Sequence, residues 1–422
     1  MNFSKFSTCF LTLIIALMIS YNVNSQSVYE YGIKFADENN ATLVGADGLI
    51  LNTTDGGTTW TPQTSNTTNV LYGNEFIQNS TSVTVGENGM ILRTDDGGAT
   101  WSGIESGTIS HLRSVSYCGL SGIILICGDN GKMLRSDDLG NTFTTVNTGT
   151  GVNLYAVSFA PPMGAHVLCP HPEAFAVGDN GTVLMSVDDG ISWLSLTTEQ
   201  TENLRSVSFS DYCHATVVGL NGIIINTADM GNTWIPVQTE YSNNFYGVKY
   251  LDALTAVAVG DGGVIARSID NGNTWETVQS GTENSIMSVN FANTTKGISV
   301  GESSTTLYTN DGGLTWTNGT RKNSIANKKA GKNYTVKQNF PNPFNPSTQI
   351  YYSLPFDSKV SLKIYDMVGK EVAQLVSSSQ TAGEYTVTFN ASKLASGVYF
   401  YRLYATGNGN EFTKTMKMIL TK

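Results

Sequence analysis

The stretch VGENGMILRTDDGGATW, residues 85–101, decides the fold. Its second half runs Ser or Thr, any residue, Asp, any residue, Gly, any residue, Thr or Ser, aromatic. That pattern returns seven times, beginning at Thr53, Thr94, Ser136, Ser186, Thr227, Ser268 and Thr309. Its aspartates are Asp55, Asp96, Asp138, Asp188, Asp229, Asp270 and Asp311. Its closing aromatics are Trp60, Trp101, Phe143, Trp193, Trp234, Trp275 and Trp316. The Asp and Ser or Thr side chains can hydrogen-bond turn backbone, and the Gly admits positive φ. Each copy therefore specifies a tight hairpin, and its aromatic is expected to pack against its own unit.

Moving outward, a Gly precedes each aromatic by 15 residues: Gly45, Gly86, Gly128, Gly178, Gly219, Gly260 and Gly301. The steps between these glycines are 41, 42, 50, 41, 41 and 41 residues. The long step holds an insertion, APPMGAHVLCPHP, at residues 160–172. Further upstream lies a short strand, LRSVSY at 112–117, LYAVSF at 154–159, LRSVSF at 204–209 and FYGVKY at 245–250. Looser versions end at Phe35, Phe76 and Phe291. Each repeat thus holds four short antiparallel strands. One such sheet cannot bury both its faces, whereas a closed ring buries them all. The expected fold class is all-β: a seven-bladed β-propeller over residues 26–319, followed by an immunoglobulin-like β-sandwich. Each blade is expected to be one continuous piece, with the ring closing by packing of blade one on blade seven.

The flanks read differently. Lys5, the apolar run CFLTLIIALMI at 9–19 and the small residues Val23 and Ser25 predict a signal peptide over 1–25, cut before Gln26. No later segment approaches eighteen apolar residues, so no transmembrane segment is expected. Residues 320–333 (TRKNSIANKKAGKN) are basic, polar and without strand pattern, as expected of a linker. Over 334–422, strands are predicted at 348–354, 360–365, 385–390, 398–405 and 412–420.

Charged residues make up only 14 % of the 422, well under the usual quarter, and Gly reaches 43. That suits short strands joined by many turns. The net charge of -10 and the lack of a basic stripe exclude nucleic acid as an expected partner. Of the cysteines beyond the leader, Cys127 sits in a slot that is mostly Val and reads as core. Cys118, Cys169 and Cys213 leave disulfide pairing open, with Cys169 and Cys213 one option.

The repeated Asp turn is the Asp-box, or bacterial neuraminidase repeat. Seven boxes combined with Val-Gly-x-x-Gly turns resemble the propeller family of photosystem II stability and assembly factors, over roughly residues 28–320. The resemblance is specific for fold and nearly silent on function. The C-terminal segment resembles the sorting domain of type IX secretion cargo. The stretches that carry this are QNFPNPFNP at 338–346, LKIYD at 362–366 with Gly369, AGEY at 382–385, LASGVYFYRL at 394–403, and Lys414, Lys417 and Lys422. This resemblance implies engagement of the type IX machinery through residues 334–422. It also implies a final place outside the cell or on the outer-membrane surface.

Catalysis needs one special constellation, and a carboxylate repeated on every blade is not one. No metalloprotease, nucleophile-elbow or phosphate-loop motif is present. His166, Cys169 and His171 in the insertion could ligate a metal, but such a loop is more often merely exposed. The box lacks the spacing of a calcium loop. No metal or cofactor is expected. Sialidases on Asp-box propellers use an arginine trio on six blades, whereas Arg is scarce here and the repeats number seven. One position stands out: the second residue of each innermost strand, Tyr31, Tyr72, Arg113, Tyr155, Arg205, Tyr246 and Met287. These should ring the channel mouth, near turns that carry Glu87, Asp129, Asp179 and Asp261. The alternative is that the tyrosines only fill space between blades. The expected function is a non-enzymatic binding scaffold for a protein or glycan partner. The runner-up is a sialidase-like or other carbohydrate-active hydrolase.

Overall fold

The second strand of every repeat lacks the usual alternation of apolar and polar residues. Ala41–Gly45, Ile124–Gly128, Ala174–Gly178, Ala215–Gly219, Ala256–Gly260 and Gly297–Gly301 are buried at every position, as is the longer Thr81–Gly86. A strand buried on both faces needs a neighbouring sheet on each side. The computed structural model supplies them. It describes residues 29–78, 80–161, 174–319, 322–323, 333–356, 358–380, 383–408 and 410–421. Seven sheets, each built on four consecutive antiparallel strands, form a β-propeller. The innermost strands, lettered A, are Glu30–Phe35, Leu71–Gln78, Leu112–Tyr117, Leu154–Phe159, Leu204–Phe209, Phe245–Tyr250 and Ile286–Phe291. Each A strand packs on those of the two adjacent blades, and the first packs on the last. Strands B, C and D follow outward, and D, as in Thr144–Val146, is largely exposed on the rim.

The marker glycine at the end of strand B is explained by space. Its backbone is extended, but a Cβ on Gly86 would lie 2.1 Å from the Val70 carbonyl oxygen. Only hydrogen fits where strand B meets the chain entering strand A. The box glycine has the other reason, with Gly98 at φ +91°. Around it the box forms a closed hydrogen-bond set. Thr94 Oγ1 donates to Asp96 Oδ1 at 2.8 Å and accepts from the Gly98 N–H at 2.9 Å. Thr100 donates through its N–H to Oδ1 (2.8 Å) and through its hydroxyl to Oδ2 (2.7 Å). The other six boxes repeat this set. The aromatics pack as expected for Trp60, Trp101, Trp234 and Trp316, which are buried; Phe143, Trp193 and Trp275 are half-buried.

The boxes also join blades. The third residue of strand C reaches the box of the next blade. Asn52 Nδ2 donates to the Gly97 carbonyl at 2.8 Å, and Arg93 Nε to Leu139 at 3.2 Å. Arg135 Nε donates to Asp189 at 2.9 Å, and Arg267 Nε to Gly312 at 2.8 Å. A second set lies deeper. Ser116 Oγ accepts from the Phe159 N–H, and Ser208 Oγ from the Tyr250 N–H. A third set lies at the turn end, where Asn153, Asn203 and Asn244 accept from turn N–H groups of the preceding blade.

Blade seven meets blade one through different atoms. Tyr29 Oη donates to Glu302 (3.0 Å), the Phe35 N–H to Asn290 (3.3 Å), Trp60 Nε1 to Tyr308 Oη (3.0 Å) and Lys296 Nζ to the Glu38 carbonyl (2.9 Å). Ile33, Phe35 and Trp60 share a core there with Ile298 and Val300. The segment expected to be a strandless linker departs from that reading. Lys322–Asn323 forms a two-residue strand parallel to Thr59–Trp60, a fifth strand on the outer edge of blade one. The unpaired edge left by a short D strand accounts for it.

Beyond this, a three-stranded sheet (Thr335–Val336, Ser347–Leu354, Gly383–Asn390) and a four-stranded sheet share one core. The four strands are Glu371–Gln380, Ser358–Tyr365, Gly397–Gly407 and Asn410–Leu420 in spatial order. The strand Glu371–Gln380 is absent from the sequence reading. Two register shifts against its partner, at Leu362/Lys363 and Ile364/Tyr365, break its alternation. No helix among the described residues is long and apolar enough to cross a membrane. The predicted signal peptide and most of the insertion, with His166, Cys169 and His171, lie outside the described residues.

Candidate functional site

In every blade the pairing of strands A and B skips one residue. Glu30 faces Gly45 and Gly32 faces Val44, so Tyr31 has no cross-strand partner. The same shift isolates Tyr72, Arg113, Tyr155, Arg205, Tyr246 and Met287. A bulge turns its residue away from the ladder. Seven bulges at one level turn seven side chains into one place, and all seven line a single cavity of ≈ 180 Å³. The six residues singled out from sequence are therefore brought together.

They form a contiguous arc. Tyr31 meets Tyr72 edge-on at 5.2 Å between ring centres. The Arg113 guanidinium lies 4.5 Å from the Tyr72 ring centre and 6.0 Å from that of Tyr155. Arg205 sits 3.6 Å over the other side of Tyr155. Cation–π contacts of this kind are worth about 0.5–1 kcal/mol where exposed and more where desolvated. Tyr29 and His111 extend the arc, stacking on Tyr31 at 5.9 Å and meeting Tyr72 at 6.4 Å. Sequence reading missed both, although each lies within two residues of a ring position.

The turn acids stand behind the ring. Glu87 accepts from Tyr72 Oη (3.4 Å) and from the Val70 N–H (3.1 Å). Asp129 takes Arg113 bidentately, both bonds at 2.8 Å. Asp179 accepts from Asn153 (3.0 Å) and Asp261 from Asn244 (2.6 Å). Burial works against the Arg113 charge, but Asp129 more than offsets it and holds the guanidinium charged. Burial, with smaller help from Glu87, pushes the Tyr72 phenol up to about 12; burial and Asp261 do the same to Tyr246. Burial also raises Tyr31, so the Tyr31, Tyr72 and Tyr246 phenols stay protonated donors.

Arg205 differs from Arg113. Where five of the other six turns offer an acid directly after the marker glycine, its own blade has Leu220. Its Nε is buried without a hydrogen-bond partner, and no ion pair neutralises it among the described residues. The mouth thus holds one neutralised arginine, one uncommitted arginine and four phenols. The Asp-box residues sit at the opposite end of the blades, engaged in their own turns. Among the described residues no three His, Cys, Asp or Glu side chains group as a metal site, and Cys118, Cys127 and Cys213 are free.

Comparison with known proteins bears on this architecture. A family model described as photosynthesis system II assembly factor YCF48 matches residues 18–111, 169–282 and 268–338. A model described as secretion system C-terminal sorting domain matches residues 338–421. Among solved structures, YCF48 from Cyanidioschyzon merolae superposes with a TM-score of 0.56 at 19% identity, over 67% of this chain and 95% of that one. YCF48 bound to D1 peptide gives 0.55 at 22%, over 67% and 93%. At such identities the likeness carries the fold alone. No curated protein matches in sequence.

Proposed function

Since this chain belongs to the photosynthesis system II assembly factor YCF48 family and ends in a secretion sorting domain, we propose that it is an exported binding scaffold whose channel mouth grips a protein partner. The photosystem setting is not carried over, because the sorting domain points to another destination. Export runs through the type IX machinery, by way of residues 334–422, to the outer-membrane surface or the medium. The reading includes the absence of catalysis: the turn acids of the mouth serve as acceptors for their own and adjoining blades rather than as a free acid–base pair.

The observation that carries this reading is Arg205, an uncommitted cation lying over the Tyr155 ring in a ring of non-identical residues. Such a mouth suits a peptide segment that offers one carboxylate and apolar or aromatic side chains. A solved propeller of this fold, YCF48 bound to D1 peptide, supports a peptide over a glycan.

The test is affinity capture with the exported chain, immobilised and exposed to envelope extract and spent medium of the source organism. Wild type and an Arg113→Ala/Arg205→Ala double variant are compared. A protein retained by wild type and lost by the variant is expected. Equal retention by both sinks the mouth as the site. Enrichment or trimming of a glycan alone overturns the scaffold reading in favour of carbohydrate chemistry.

A further inference from the structure

Three residues along each A strand from the mouth ring, the fifth position forms a second level of the ring of innermost strands. Its residues are Lys34, Glu75, Ser116, Ser158, Ser208, Lys249 and Asn290, one from each blade in order. Repetition explains the serines: Ser116 and Ser208 tie neighbouring blades, and Ser158 donates to the Phe159 carbonyl of its own strand. It does not explain the three ionisable groups. Lys34 and Glu75 pair at 2.8 Å across adjacent blades. Lys249, on blade six, has no such partner among the described residues. The charges that act on it are those of Lys34 and Glu75, on blades one and two, which share its level in the ring of packed A strands.

The hydrogen-bond inventory of this level leans towards donors, with the Ser158 oxygen the one hydroxyl left to accept. Ser116 and Ser208 already accept a backbone N–H, which leaves their hydroxyl protons to donate. Asn290 accepts from the Phe35 N–H through its oxygen, which leaves its amide protons. Lys249 adds three donors. The one strong acceptor, Glu75, is spent on Lys34 and on the Phe76 N–H. Two ammonium groups against one carboxylate leave this level positive inside a chain of net charge -10.

We infer that this level of the bore is a binding site for a small oxyanion of carboxylate or phosphate type, held by Lys249 with Asn290 and the channel serines. The occupant would supply the missing negative charge and the missing acceptors together. Burial, and Lys34 after it, pulls the Lys249 amine down to about 8, as expected of a cation waiting for its counter-ion. The site is separate from the mouth and does not depend on what the mouth binds.

The test labels surface amines of the exported chain with an acylating reagent near neutral pH and follows each lysine by peptide mass spectrometry. Without oxyanion, Lys249 is expected among the faster-labelled lysines. Acetate or phosphate should then slow Lys249 about tenfold, because a bound anion raises its pKa by roughly one and removes the neutral form. Lys359 on the sandwich should be unaffected. Chloride at equal ionic strength is the control. Slowing by chloride equal to that by acetate overturns the oxyanion assignment, as does no slowing by any anion. In a second arm, acetate or phosphate should raise the melting temperature of wild type and of Lys359→Gln but not of Lys249→Gln. A rise retained in Lys249→Gln also overturns it. The labelling arm uses wild type alone, so a folding defect in the variant leaves the decision intact.

Discussion

Trp60→Ala is the most informative single change. The side chain is fully buried, in a core made by Ile33, Phe35, Leu43 and Leu51 of blade one with Ile298 and Val300 of blade seven. Emptying such a site costs about 3–5 kcal/mol when the surroundings cannot collapse. The lost bond from Nε1 to Tyr308 Oη adds about 1 kcal/mol. The expected total is about 4–6 kcal/mol. Trp60→Phe keeps most of the volume and should cost about 1–2 kcal/mol. Trp193→Ala, at the same place in blade four but half-buried, should cost less than Trp60→Ala. The assay is equilibrium unfolding in denaturant followed by tryptophan fluorescence. All 6 tryptophans close Asp-boxes, so the signal reports the propeller and ignores the C-terminal sandwich. A Trp60→Ala midpoint within about 1 kcal/mol of wild type at unchanged slope would refute the argument. So would a Trp193→Ala that costs more.

Three further outcomes are expected. Hydrogen bonds from Thr100 and Thr94 hold Asp96 down to about 2, and the six other box carboxylates are also lowered: burial opposes this, but the box hydrogen bonds outweigh it. A depressed carboxylate stabilises above its unfolded value near 4 and loses that contribution as pH falls towards about 2. Unfolding midpoints should therefore drop steeply between about pH 4 and about pH 2, and Asp96→Asn should flatten the drop; a pH-independent midpoint contradicts the box account. Arg135→Ala removes a tie from one blade to the next box and should cost about 1–2 kcal/mol in the same assay, against no change if boxes act only within blades. Arg113→Ala strands the Asp129 carboxylate and should lower the melting temperature, whereas Arg205→Ala, with no carboxylate partner, should shift it far less; equal shifts would remove the distinction between the two arginines.

The phase of the Asp-boxes and of the glycines ahead of them was enough to place four strands per repeat, because both depend on local backbone needs. The mouth ring was legible for a related reason. Once strand A is in phase, equal positions share a level, whatever bulge turns them inward. Contacts that join blades were not legible. The Arg135 bond to the Asp189 carbonyl spans 54 residues, and nothing local marks its end. The contrast between Arg113 and Arg205 stood in the sequence as Asp129 against Leu220. It acquires meaning only when those turn residues are seen behind the ring. The level of Lys34, Glu75 and Lys249 escaped notice because serine fills the same slot in three blades and makes it look like packing. In the sandwich, paired register shifts hid a whole strand.

The contacts between blades seven and one span 248 to 273 residues of chain. Joining ends that far apart costs on the order of 5 kcal/mol in chain entropy. Every other pair of neighbours is tethered by a short connection and meets again quickly if it parts. This joint is where thermal opening of the ring has the most to gain and where exchange of buried amides should begin. The two residues Lys322–Asn323 lie across it, carrying the chain from the end of blade seven to the outer edge of blade one. A chain severed before Lys322 loses that strap and keeps only the side-chain ties. One severed after Asn323 keeps both. Where a cut between propeller and sandwich falls thus decides how firmly the ring stays shut.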